Sequence, residues 1–189
     1  MVAIIIIIVI RKRFNEGAEL FEFYGDIKEG IHDNAPEALG KGVYITGYVD
    51  ADHGGDHLAC LSHNGTLIFV NSTPIVWDST RQDTIKSSTF GSEVFVLRTA
   101  LDILKGIRYN LQMMGVPING PAYMFGDNKS VVSGAPILQY NISKKHLEIC
   151  YCAIQEASSA VIWRVGFVKG KYNITDCLTK ILLGTVKYK

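Results

Sequence analysis

Two aspartates follow apolar segments and could bring carboxylates to one edge of a sheet. Asp50 ends the β-prone segment 43–50, and Asp127 follows the apolar run Tyr123-Met124-Phe125. An acid that leaves a central strand stands where open α/β sheets build their binding sites. For Asp50 alone, a solvated turn acid is an equally good explanation. Asp127 followed by Asn128 is by itself more typical of an Asx cap on a helix.

Two further acids are expected in the first turns of helices. Glu93 comes four residues before Leu97 and therefore shares the apolar stripe of a long predicted helix. A capping-box role would require the acid three residues after the cap, where Phe90 stands, whereas a buried pair with Lys or Arg is an open alternative. Asp176 follows Asn173 in the first turn of the last predicted helix, where a favourable interaction with the helix dipole would explain it without chemistry.

The joint placement of these acids is more informative than any one of them. Two follow strands and two come from early helix turns that can face the same sheet edge, so we expect convergence of Asp50, Glu93, Asp127 and Asp176. Such a cluster would repel itself without cations, and its hard oxygen ligands suit Mg²⁺ or Mn²⁺. The sequence therefore predicts a site for two divalent ions of the kind that bridges a phosphodiester.

The elements that must position these acids follow from hydrophobic periodicity and turn signals. A long helix is predicted after Ser87-Ser88-Thr89 and ends near Gly115, and a hairpin turns at Asn71-Ser72. Further strands are predicted at 43–50, 67–70, 75–77, 122–125 and 161–168, and further helices after Ser143 and over 174–182. This order predicts an α/β fold with a mixed sheet covered by helices.

Length and composition predict one domain. The 189 residues are 48% hydrophobic, which is enough for a sizeable core. We expect an N-terminal extension or linker over 1–42, a domain over 43–182 and a tail over 183–189. The charge balance of 19 basic and 18 acidic residues gives +1, so any grip on a polyanion must be local rather than a global field.

The cysteine spacing argues against a zinc site or a disulfide scaffold, and the short N-terminal apolar run argues against a membrane span or a signal peptide. The four cysteines, at 60, 150, 152 and 177, form no CxxC pair and are too sparse for a secreted disulfide scaffold. The run 3–10 falls short of the roughly 20 residues that span a bilayer, and no basic residue precedes it as in a signal peptide. We therefore expect reduced cysteines, an intracellular protein and no membrane partner.

Several short blocks of distinctive residues follow one another along the chain. The blocks are Tyr48-Val49-Asp50-Ala51-Asp52-His53-Gly54-Gly55-Asp56, Ser62-His63 with Gly65, Pro74-Ile75-Val76-Trp77, Ser87-Ser88-Thr89-Phe90-Gly91-Ser92-Glu93, Gly115-Val116-Pro117-Ile118 with Gly120-Pro121, Asp127-Asn128, Lys144-Lys145-His146, and Asn173-Ile174 with Asp176 and Leu178-Thr179-Lys180. In their order and spacing these blocks resemble the ribonuclease H domain at the end of the copia-type LTR-retrotransposon Pol polyprotein. The resemblance runs from about Phe23 to Ile181.

This resemblance implies a fold, an activity and a set of partners. The fold would be the ribonuclease H-like mixed five-stranded sheet flanked by helices. The activity would be metal-dependent endonucleolytic cleavage of the RNA strand of RNA/DNA hybrids during reverse transcription, with the four acids as metal ligands and Mg²⁺ or Mn²⁺ as the two ions. The implied partners are the hybrid and a reverse transcriptase of the same element, in the cytoplasm or nucleus. Substrate contacts are expected from Asn128, Lys144, Lys145 and His146.

The chain also departs from the family in its cationic residues. Between Asp56 and Ser62 the family usually carries arginines where this chain has Ala59-Cys60-Leu61, and its Tyr-His pair and following arginines appear here as Tyr151-Cys152-Ala153 and Gln155. Each lost phosphate contact should weaken hybrid binding and flatten its salt dependence. The alternative function is therefore a catalytically silent hybrid-binding or structural remnant of a retrotransposon polyprotein.

Overall fold

A computed structural model describes residues 28–56, 61–83, 88–134 and 145–179. Its elements, in chain order, are β1 (Ile45–Asp56), β2 (Leu61–Val70), β3 (Thr73–Arg81), α1 (Thr89–Met113), β4 (Ala122–Gly126), α2 (Lys129–Gly134), α3 (Lys145–Ser159), β5 (Trp163–Phe167), a 3-10 turn (Gly170–Tyr172) and α4 (Asp176–Thr179). Among these residues no helix is both long and apolar enough to cross a bilayer.

The strands form one mixed sheet in the order β3-β2-β1-β4-β5. The first three strands pair antiparallel, and β4 and β5 continue the sheet in parallel with β1. Asn71 has a positive φ of 56° in the two-residue turn between β2 and β3, a conformation that Asn tolerates better than most residues. The predicted α/β class, with a five-stranded mixed sheet flanked by helices, is confirmed.

Helix α1 provides the main apolar cover of the sheet. The Ser88 hydroxyl accepts a hydrogen bond from the Gly91 N–H and so caps the helix, as the hydroxyl-rich segment predicted. Residues such as Leu97, Leu101 and Leu104 are buried along one stripe and α1 packs on β1, β2 and α3. The helix ends before Gly115, which has a φ of +69°, so the predicted long helix is confirmed.

The two faces of the sheet carry different helices. Ser62 of β2 reaches Ser92 of α1 with a hydroxyl separation of 3.0 Å, whereas Gly65 of the same strand faces α4. Successive side chains along a strand point to opposite faces, so residues three apart lie on different sides. Helix α1 therefore lies on one face and the short helix α4 on the other.

Residues upstream of β1 contact the far end of α1. The Arg108 guanidinium makes a two-pronged ion pair with Glu29, with Nε to Oε1 at 2.6 Å, and Nη1 donates to the Gly120 carbonyl at 3.1 Å. The Leu39 N–H donates to the Gly115 carbonyl at 2.9 Å. Residues 29–39, which the sequence placed in an extension or linker, are thus tied to the sheet-covering helix.

Predicted element boundaries differ mainly in the strands and the last helix. Strand β2 begins at Leu61 and β3 ends at Arg81, so the hairpin is longer than the predicted segments 67–70 and 75–77. The final helix of the described chain covers only Asp176–Thr179, preceded by the 3-10 turn. The expected cap Ser143 and the predicted end of the last helix at 182 lie outside the described residues.

Candidate active site

Three of the four predicted acids meet at one edge of the sheet. Carboxylate oxygens of Asp50, Asp127 and Asp176 all lie within 4.8 Å of one another. Tyr48 of β1 pairs in parallel with Phe125 of β4, and each of the two aspartates follows its strand residue by two positions. The same edge of two parallel strands therefore presents both carboxylates.

Asp176 joins this pair because the segment that contains it is fastened to the sheet. The Asn173 side-chain amide donates to the Val49 carbonyl of β1 at 2.9 Å, and the Ser79 hydroxyl of β3 donates to the Leu178 carbonyl at 2.6 Å. Asp176 is the first residue of α4 and lies between these anchors. Its placement at the site thus depends on contacts with strands more than 90 residues earlier in the chain.

Glu93 lies close enough to Asp50 and Asp127 to feel their charges and is buried, with 4% of its surface exposed. It is not one of the carboxylates in the 4.8 Å group. Burial, together with the negative charges of Asp50 and Asp127, raises the pKa of Glu93 from 4.5 to about 8, against a smaller lowering by a hydrogen bond with the Ala51 backbone. At neutral pH and without cations this carboxyl therefore holds a proton.

The donor set fits hard divalent cations. The three clustered side chains offer carboxylate oxygens only, and Asp50 is 5% exposed whereas Asp127 and Asp176 are half-buried. Oxygen ligands of this kind suit Mg²⁺ and Mn²⁺ rather than the softer metals that thiolates prefer. The residues present could hold such an ion on the partly open side of the site. Burial is the largest cause of the raised pKa of Glu93, and the negative charges of Asp50 and Asp127 add a repulsion that a cation would relieve.

The predicted substrate-contact residues are placed unevenly. The Asn128 side-chain oxygen accepts hydrogen bonds from the backbone N–H groups of Ser130 and Val131, at 3.1 and 3.3 Å. Asn128 therefore caps α2, which is the structural alternative considered from the sequence. Lys144 lies outside the described residues, as do the side chains of Lys145 and His146, so their predicted substrate contacts stay predictions.

Two residues at the site were not singled out from the sequence as functional. The Thr179 hydroxyl donates to Oδ2 of Asp50. A Cβ added to Gly170 would stand 3.1 Å from Oδ2 of Asp127, so the backbone of the 3-10 turn passes directly against this carboxylate. The only sequence signal for Thr179 was its place in the block that follows Asp176 by two residues.

No model of a known protein family matches the chain. Its sequence is 25% identical over 143 residues to the retrovirus-related Pol polyprotein from transposon RE2 of Arabidopsis thaliana, with 76% of this chain and 10% of that protein covered. The Pol polyprotein from transposon RE1 of the same plant is also 25% identical, over 146 residues. The chain thus spans about a tenth of the length of these curated relatives.

Solved ribonucleases H share the fold. A ribonuclease H1 from the halophilic archaeon Halobacterium salinarum NRC-1 has a TM-score of 0.55 at 13% identity, covering 72% of this chain and 94% of its own. LC11-RNase H1 in complex with an RNA/DNA hybrid also has a TM-score of 0.55, at 14% identity, covering 71% of this chain and 93% of its own. The predicted resemblance is confirmed: the chain has the fold of solved ribonucleases H, and its sequence is similar to retrovirus-related Pol polyproteins of transposons.

Proposed function

We propose that this domain is a metal-dependent endonuclease that cleaves the RNA strand of RNA/DNA hybrids. The observation that carries the proposal is the meeting of Asp50, Asp127 and Asp176 within 4.8 Å at one sheet edge. The fold shared with a ribonuclease H1 that was solved on an RNA/DNA hybrid supports the substrate class. The relation to Pol polyproteins supports a role in reverse transcription.

The four acids would divide the work by their exposure. Asp50 and Glu93 are buried, whereas Asp127 and Asp176 are half-buried and would face a phosphate backbone. Bound at these carboxylates, two Mg²⁺ or Mn²⁺ ions would supply an acidified water and charge stabilisation at the leaving 3′ oxygen. Glu93 would release its proton as the ions bind, so metal affinity should increase with pH near neutrality.

Exposed lysines next to the acids would contact the substrate phosphates. Lys169 and Lys171 flank Gly170, whose backbone lies against Asp127. The Lys171 ammonium lies 4.6 Å from the centre of the Tyr172 ring, and Tyr172 itself is exposed. With a net charge of only +1, the chain would bind phosphates through local groups. These would be the two lysines together with the proposed contacts of Asn128, Lys144, Lys145 and His146.

The wider setting follows from the relatives. Because they are Pol polyproteins about ten times the length of the matched segment, we propose a reverse transcriptase of the same element as a functional partner. The reaction would then take place in the cytoplasm or nucleus, where the element is copied.

The test is cleavage of an end-labelled RNA/DNA hybrid in Mn²⁺, with EDTA-treated protein as the metal-free sample. Asp127→Asn should abolish cutting, and Asp102→Asn should leave it unchanged because Asp102 is exposed on α1, about 13 Å along the helix from Glu93. Cutting of the RNA strand alone, lost in EDTA and in Asp127→Asn, is the expected result. A folded wild-type protein that leaves the hybrid intact would refute the proposal.

One observation favours the second candidate, a catalytically silent hybrid-binding module. Gln155 stands at an α3 position where the family carries an arginine, and it is buried. The described side chains of α3 that reach solvent are Glu148, Ile149, Cys152 and Glu156, and none of these is a cation. A silent module would bind the hybrid as well or better after Asp127→Asn removes a negative charge, and would cut it in neither form.

A further inference from the structure

We propose that Thr179 is a positioning residue for the candidate metal site, holding the Asp50 carboxylate in a fixed orientation while the same segment brings Asp176 to it. The inference rests on the proposed function, because it assigns a role toward the ions that the acids would bind. It concerns the short segment 173–179, here called the C-terminal clamp, which crosses the face of the sheet opposite α1.

The clamp is fastened at its start by Asn173, which is buried. The Asn173 amide donates to the Val49 carbonyl at 2.9 Å, one residue before Asp50. The Thr175 hydroxyl donates to the Asn173 side-chain oxygen at 2.6 Å and the Thr175 N–H approaches the same oxygen at 3.4 Å. Both ends of the Asn173 amide are thereby engaged, so the start of the clamp is fixed relative to β1.

The clamp is fastened at its other end by Thr179, which is 6% exposed. The Thr179 hydroxyl donates to Oδ2 of Asp50 and also lies 3.4 Å from the Asp176 carbonyl. One buried hydroxyl therefore contacts both the side chain of Asp50 and the backbone of Asp176. Asp176 stands between the two fastened ends.

Gly65 makes this approach sterically feasible. It pairs directly with Asp50 in the β1–β2 register, so its missing side chain leaves room beside that carboxylate. A Cβ at position 65 would stand 2.8 Å from the Thr179 methyl and 3.1 Å from the Thr175 carbonyl. Since real Cβ atoms essentially never come within 3.0 Å of such an atom, a larger residue at 65 would displace Thr179 and with it the clamp.

The role of Thr179 differs from that of a threonine that bonds only to the backbone of its own helix, such as the partly buried Thr99. Thr99 of α1 also donates its hydroxyl within its own helix, to the Phe95 carbonyl at 3.1 Å, and this contact ends on backbone. The Thr179 hydroxyl instead ends on a carboxylate that would bind metal. Hydrogen-bond partners of metal ligands orient those ligands, and their removal typically lowers metal affinity by about 10- to 100-fold.

The test is titration of metal-free protein with MnCl₂ alone, with free Mn²⁺ measured by electron paramagnetic resonance. Thr179→Val, which removes only the hydroxyl, should weaken Mn²⁺ binding by about tenfold or more. Thr179→Ser, which keeps the hydroxyl, should bind within about twofold of wild type, and Thr99→Val is the matched control that should leave binding unchanged. Thermal melts of the metal-free variants report packing separately.

Equal Mn²⁺ affinity in wild type and a folded Thr179→Val would overturn the inference, as would an equal loss in the valine and serine variants. If the valine variant does not fold, Gly65→Ala decides: the inference expects weaker Mn²⁺ binding, and an unchanged affinity would reject it. The titration uses no nucleic acid, so its outcome is independent of cleavage. If Mn²⁺ affinity depends on Thr179 as expected but the wild type cuts no hybrid, the proposed function alone would be refuted.

Discussion

Replacing Glu93 with glutamine should make the metal-free domain more stable at pH 8 while removing hybrid cleavage. The folded-state pKa of Glu93 is about 8, against 4.5 for the ordinary carboxyl, because the side chain is buried beside Asp50 and Asp127. Between these two values the folded chain keeps a proton that the unfolded chain has released. By linkage, the contribution of Glu93 to stability is fully present below pH 4.5 and is lost as the pH rises through about 8.

The size of the effect follows from the two pKa values. Each pKa unit is worth about 1.36 kcal/mol, so the penalty for Glu93 grows by about 3.5 kcal/mol between pH 5 and pH 8. Glutamine has nearly the shape of the protonated carboxyl, and its oxygen can accept a hydrogen bond from the backbone where Ala51 now interacts. For a domain of this size 1 kcal/mol corresponds to about 2–4 °C in melting temperature. The difference in melting temperature between Glu93→Gln and wild type should therefore increase by about 10 °C from pH 5 to pH 8.

The assay is a set of melting curves in EDTA from pH 5 to pH 8 for wild type, Glu93→Gln and Glu156→Gln. Glu156 is exposed on α3 and serves as the matched control, which should follow the wild type at every pH. Mg²⁺ should raise the wild-type melting temperature at pH 8 more than that of Glu93→Gln, because a bound cation relieves the repulsion that the variant lacks. Parallel curves for wild type and Glu93→Gln across the pH range would refute the argument.

Two further variants test the Glu29–Arg108 ion pair and the close approach of Gly170 to Asp127. Arg108→Leu should lower the free energy of unfolding by about 2 kcal/mol, because it leaves the partly buried Glu29 carboxylate without its two-pronged partner. Urea denaturation measures it, and an unchanged midpoint would show that the Glu29–Arg108 pair does not stabilise the fold. Gly170→Ala should weaken Mn²⁺ binding severalfold with little change in melting temperature, because the new Cβ would stand 3.1 Å from Oδ2 of Asp127. Tighter or equal Mn²⁺ binding would contradict that crowding.

Three of the four acids, Asp50, Glu93 and Asp127, stand where local sequence interrupts a recognisable pattern, whereas Asp176 is placed by long-range contacts. Asp50 and Asp127 stand where apolar strand segments give way to polar residues, and Glu93 stands on the apolar face of a helix where an acid needs a reason. A single sheet edge collects the ends of parallel strands, so the convergence of Asp50 with Asp127 followed from topology. Neither argument required knowledge of a distant contact.

The first residues of β2 could not be predicted as a strand from local sequence. The segment Ser62-His63-Asn64-Gly65 is polar and contains glycine, so it lacks the apolar character that marks a strand. It is a strand because its side chains find buried partners: Ser62 lies against Ser92, and the Gln82 amide donates to Asn64 at 2.7 Å. Such a polar layer depends on three elements folding together, and hydrophobic periodicity gives no sign of it.

The residues that defy local rules are gathered around one carboxylate, and this coincidence argues for function. A glycine in the interior of a strand normally weakens it, yet Gly65 stands directly opposite Asp50 and clears the approach of Thr179. Burying an acid near other acids is costly, yet Glu93 is buried and feels the charge of the same Asp50. Sequences tolerate such local conflicts mainly where a site requires them. A purely structural remnant would gain stability by replacing Glu93, so the presence of this costly arrangement around Asp50 favours a domain that binds cations.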